Sequence, residues 1–244
     1  MRMQQSWRSV CAVVLSGVFA ALSPRPALSQ AVPATTPIDR ALAAGEWRTA
    51  LRLLDSALAK TPRDATRLQQ RGRAYRELEA FDKALADYTQ AIAVDRRFAA
   101  AYGGRAIVHQ RLGNVKGSFA DIDTARALGM RDPQLDLVEG IGYLMSEDGA
   151  KAWTRLDTYV RAVPDAAQGW FLRGRAAGMS GRHADAEKDF TAAVERRIGG
   201  PDAYTLRAIA RMALGNSAGA CSDLNQAMKL GDKNAAASFA RSCR

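Results

Sequence analysis

The chain has 244 residues, 48% of them hydrophobic and 25% charged, in the proportions of an ordinary globular protein. This excludes disorder along its length and leaves room for one large domain or two small ones. A formal net charge of +10 can attract acidic proteins, anionic glycans, lipid head groups or nucleic acid through its long-range field, without choosing among them.

The first segment has the three-part layout of a secretory signal. Arg2 and Arg8 flank Trp7, an apolar run follows from Val10 to Leu22, and a Pro-containing stretch ends in small residues. Ala27 and Ser29 precede a cut ahead of Gln30, with Ser29 and Ala31 as a competing pair one step on. The alternative is an uncleaved anchor, but a run of about 13 residues falls short of the ~20 that cross hydrocarbon as a helix. The expectation is a cleaved signal over 1–29, a linker over 30–37, and an exported, periplasmic product with no transmembrane segment after cleavage. Cleavage removes Arg2, Arg8 and Arg25 and no acid, so the product stays basic.

Beyond the linker the sequence repeats itself. From Ala65 one reads Leu68, Gly72, Tyr75, Ala84, Tyr88 and Ala91, and the order returns as Trp170, Gly174, Ala186, Phe190 and Ala193. Tyr102 with Ala106, Gly140 with Tyr143 and Ala152, and Tyr204 with Ala208 and Ala220 keep the same phase without insertion or deletion. Gly129 and Gly231 follow apolar runs as helix stops, and Asp132-Pro133 sets a capping oxygen ahead of a helix-start proline.

A spacing of about 34 residues with this order of small and large apolar positions resembles the tetratricopeptide repeat family. The resemblance covers nearly all of 38–244, as units near 31–64, 65–98, 99–132, 133–166, 167–200 and 201–234 and a cap over 235–244. It implies an all-α fold, a right-handed superhelical solenoid of helix-turn-helix units closed by a C-terminal capping helix.

Charge tests the register. In five units the seventh and twenty-third residues carry opposite signs: Arg71 and Asp87, Arg105 and Asp121, Glu139 and Arg155, Arg173 and Asp189, Arg207 and Asp223. The swap of sign at Glu139 and Arg155 is what two side chains facing each other across a hairpin tolerate. Five structural ion pairs between first and second helices are therefore expected. Cys221 and Cys243 lie at similar distances from the turn Gly231–Lys233, which brings them level on antiparallel helices. A disulfide is favoured there, with two buried free thiols as the alternative.

Nothing in the spacing assembles catalysis. Of the two histidines, His109 takes the slot of Tyr75 and Tyr143, and His183 falls in a turn. There is no Gly-rich nucleotide loop, nucleophile elbow or metal-ligand spacing, so no enzyme, cofactor or metal is expected.

In proteins of this kind the first helices line a concave surface. Transferred here, that surface takes Gln69, Arg73, Arg76 and Gln110 from the early units, then Leu137, Ile141, Leu144, Phe171, Arg175, Ile209 and Met212. An apolar middle with a basic rim suits a protein or peptide segment with apolar anchors and some acidic character. The bland alternative buries the same residues in a continuous core. The expected function is an exported scaffold for protein–protein interaction, in an envelope assembly or secretion system. The rival is an accessory for an anionic polysaccharide, using Arg73, Arg76 and Arg175. Nucleic acid is not expected, since no basic stripe carries interleaved aromatics.

Overall fold

The computed structural model describes residues 36–243. The expected signal over 1–29, and the linker up to residue 35, lie outside the described residues. Within them are thirteen α-helices and no strand. They form two compact units, whose described parts are 36–142 and 143–243.

The first unit contains α1 (Pro37–Ala43), α2 (Trp47–Lys60), α3 (Ala65–Glu77), α4 (Phe81–Val94), α5 (Ala99–Arg111), α6 (Val115–Ala127) and most of α7 (Gln134–Met145). The second contains the end of α7, then α8 (Gly149–Ala162), α9 (Ala167–Met179), α10 (His183–Glu195), α11 (Gly200–Ala213), α12 (Ser217–Lys229) and α13 (Lys233–Ser242). Inside each unit a helix packs mainly on its neighbours in sequence, and α3 also meets α5 as α9 meets α11. Each unit is therefore a stack of helical hairpins.

Short polar side chains start several of these helices. Asp64, Asn114, Asp148 and Asn216 each accept a hydrogen bond from a backbone N–H three residues on, which satisfies a donor the helix leaves open. A left-handed residue closes every hairpin turn, and Gly113 (φ 77°) and Gly215 (φ 80°) adopt it without a Cβ clash. Glu79 and Glu147 hold the same place at φ 58°.

The core is built by small residues admitting large ones. Tyr88 of α4 is fully buried between Gly72 of α3 and Gly104 of α5. A Cβ on Gly104 would stand 2.4 Å from the Tyr88 ring, and one on Gly72 3.1 Å. That contact brings the helices together, and burial pushes the Tyr88 phenol up to about 12. Leu58, Leu68, Ala84, Ala91, Ala101 and Val108 complete this cluster.

Candidate functional site

Arginines on the first helix of a hairpin organise its neighbours. Arg71 of α3 donates from Nε and Nη2 to the two Asp87 oxygens of α4, each at 2.8 Å, and from Nη1 to Asp55 of α2 at 2.8 Å. Arg173 of α9 does the same with Asp189 of α10 and Asp157 of α8. Arg105 and Arg207 form the two-pronged bond with Asp121 and Asp223, while their Nη1 groups reach Thr89 and Thr191, both at 3.3 Å. The Asp87 hydrogen bond leads in holding the Arg71 guanidinium above its ordinary range. At Asp189 burial prevails and pushes the carboxyl up, against the bonds from Arg173.

Glu139 also takes an arginine from the preceding hairpin. In its own unit it is bonded by Nη1 of Arg126, whose Nη2 takes Asp136 at 2.7 Å. These bonds order the hairpins and occupy the charges of the residues that make them.

The reach back to the preceding hairpin has a periodic trace in the chain: Asp55, Thr89, Asp123, Asp157, Thr191 and Asn225 recur as short polar residues. Asp123, facing a repeat whose arginine is replaced by Glu139, is exposed.

On α3 the expected contact residues differ in availability. Arg73 is exposed, with its guanidinium carbon 5.6 Å from the centre of the Trp47 ring, and no carboxylate holds it among the described residues. Gln69 is half-buried beside it. Arg76 is turned to Glu77, Nη2 to Oε1 at 2.6 Å. In the sequence Trp47 is a candidate for the rival glycan role, with its place on a second helix favouring packing.

Much of the expected contact surface is buried, as in the alternative of a continuous core. Gln110, Leu137, Ile141, Leu144, Phe171 and Arg175 are all buried, none more than 7% exposed. For Phe171 the cause is plain. Its ring meets Phe190 edge to face at 5.9 Å and fills the space beside Gly199, where a Cβ would lie 2.6 Å away. Leu137, Ile141 and Leu144 follow the general tendency of apolar side chains to leave water. These six side chains present no free surface for a partner. Ile209 and Met212 of α11 remain half-buried, and Met212 also packs on the cluster of Ala208, Leu224 and Ala227.

Near them Thr205 donates to Asp232 at 2.6 Å. Burial first, and Asp232 next, raise the Asp202 carboxyl above its usual range, with Arg175 opposing.

Two histidine positions bear on chemistry. His109 lies 3.8 Å from Asp121 and contacts Asn114, and burial lowers its imidazole below the ordinary value. His183 begins α10. Among the described residues no three His, Cys, Asp or Glu side chains converge to hold a metal ion, and no helix is long and apolar enough to cross a membrane. Cys221 of α12 and Cys243 after α13 are joined by a disulfide, with 5.6 Å between their Cα atoms.

Two family models match this chain, one described as TPR repeat over residues 72–113 and one as tetratricopeptide repeat over 137–203. Over 95 residues the chain is 30% identical to serine/threonine-protein phosphatase T of Aspergillus oryzae. That match covers 39% of this chain and 19% of the phosphatase, so the chain spans less than a fifth of that relative's length.

Among solved structures, YrrB, described as a TPR protein with an unusual peptide-binding site, superposes with a TM-score of 0.67 at 21% identity, over 77% of this chain and 97% of its own. PilW, a type IV pilus biogenesis factor, gives 0.66 at 21% identity, over 79% and 89%. A tetratricopeptide repeat protein from Parabacteroides merdae gives 0.54 at 19% identity, over 98% and 91%. At these identities the likeness concerns the fold.

Proposed function

Since the chain belongs to the tetratricopeptide repeat family, a scaffold suited to protein–protein interaction, we propose that it is exported and binds an acidic peptide segment on the α3 face of its first unit. The observation that carries this reading is Arg73 over Trp47. A cation–π contact with an indole keeps a guanidinium near the ring while its N–H groups stay available, which suits recognition of a carboxylate. The arginines that build the hairpins already hold their aspartates; Arg73 does not.

Gln69 supplies an amide for the peptide backbone beside that carboxylate. Separately, the half-buried Ile209 and Met212 give α11 a small apolar face of its own. A peptide-binding site in a protein of similar fold, YrrB, supports the general reading. Export rests on the basic, apolar and small-residue order of 1–29.

The test is the affinity of a set of acidic peptides, with their Asp→Asn and Glu→Gln counterparts, measured by fluorescence anisotropy. Acidic members are expected to bind, their neutral counterparts and the Arg73→Glu protein to lose tenfold or more, and helicity to stay unchanged. Equal binding by Arg73→Glu, or no binding by any acidic peptide, overturns the assignment.

A further inference from the structure

We infer that α13 is a redox-released cap, held on the end of α11 and α12 by the Cys221–Cys243 disulfide. Its non-covalent hold is slight. The helix has ten residues and buries one of them, Ala235, whereas α11 buries Ala203, Thr205, Leu206, Ala208 and Ala210. Phe239 and Cys243 add partly buried surface against Ala208, Ala220, Leu224 and Ala227.

Asp232 caps the helix, accepting from the N–H groups of Asn234 and Ala235, and is itself bonded by Thr205. A helix this short is marginal on its own in water. Fixing ten residues costs more than one buried alanine and part of a phenylalanine return. The covalent tie shifts the balance, since it keeps α13 beside its docking face whatever its conformation.

Cys221 and Cys243 are both only partly buried, so a small dithiol can reach the bond. One thiolate of the dithiol attacks a sulfur of the pair, forming a mixed disulfide and releasing the other cysteine as a thiol once protonated. The second thiol of the reductant then displaces the first cysteine and closes its own disulfide. Two electrons and two protons pass to the protein, leaving Cys221 and Cys243 as thiols and the reductant oxidised. Release of α13 uncovers Ala208, Leu224 and Ala227, apolar residues at the end of the stack, where solenoids otherwise need a cap.

Hydrogen exchange of the full chain, read by mass spectrometry before and after dithiothreitol, tests this. Peptides from 233–242 are expected to exchange tenfold faster or more in the reduced protein while those from α10 and α11 keep their rates, and reoxidation restores the slow exchange. A Cys221→Ser, Cys243→Ser protein should match the reduced form without reductant. Unchanged exchange of α13 after reduction overturns the inference, because packing then suffices. Equal acceleration in α11 also overturns it, because the bond then staples the whole end of the unit.

Discussion

Arg71 and Asp87 stand sixteen residues apart and meet through two parallel bonds of 2.8 Å, Nε to Oδ2 and Nη2 to Oδ1. The third nitrogen, Nη1, reaches Asp55 in the preceding hairpin. One side chain thereby sets both the spacing within a hairpin and its register against the one before. The planar fork of arginine permits this, where the ammonium of lysine would act as a point charge.

Removing the carboxylate from such a pair strands a guanidinium in a nearly closed site. Asp189 is 1% exposed and Arg173 12% on their side chains. Asp189→Ala is expected to cost about 3 kcal/mol, near the lower bound for breaking a buried pair because Asp157 still holds Arg173. The paired change Arg173→Leu, Asp189→Leu should recover at least half. Loss of helical signal in guanidinium chloride measures both; a double variant as weak as the single one would assign the cost to packing.

The hydroxyl of Thr89 occupies, for Arg105, the place that Asp55 occupies for Arg71, at 3.3 Å against 2.8 Å. Thr89→Asp should convert a bond from a cation to a neutral hydroxyl, at an exposed site, into an ion pair and stabilise the protein by about 0.5 kcal/mol. The gain should shrink in 1 M salt. A lower unfolding midpoint in the variant would contradict the equivalence of the two positions.

Around Tyr88 the two glycines are not equally demanding. A methyl group at Gly104 would enter the ring at 2.4 Å, one at Gly72 would press on it at 3.1 Å. Gly104→Ala should therefore destabilise by about 2 kcal/mol, in the range for overpacking a tight core, and Gly72→Ala by clearly less. Thermal unfolding of both variants gives the order, and the reverse order would mean that the ring moves toward α3 more readily than away from α5.

The fold class was legible because helical hairpins repeat their small and large positions, and Gly72, Tyr88 and Gly104 register that packing directly. The alternating signs of Arg71 with Asp87 and of Arg173 with Asp189 likewise reflect two residues held face to face. What the spacing could not give is whether the remaining face of a first helix stays open. Phe171 sits where an exposed contact residue was expected, yet the bare backbone of Gly199 accepts its ring. The consecutive Gly199-Gly200 was the available signal. Arg73 is singled out in the sequence by its position alone, and its contact with the Trp47 ring depends on how the first hairpin meets the second, which no pattern within one repeat encodes. The second bond of each arginine, to Asp55, Thr89, Asp157 or Thr191, had a periodic trace that becomes readable once pairs across successive repeats are compared.

The sixteen-residue separations of the two-pronged pairs carry a consequence for how the chain acquires its structure. Contacts this local close small loops, and low contact order goes with fast folding. A chain emerging from its N-terminus can complete Arg71–Asp87 before Arg105 has appeared, and each later hairpin finds its template already assembled. The Cys221–Cys243 bridge, spanning 22 residues at the far end, then closes last, on a surface finished before its second sulfur arrives.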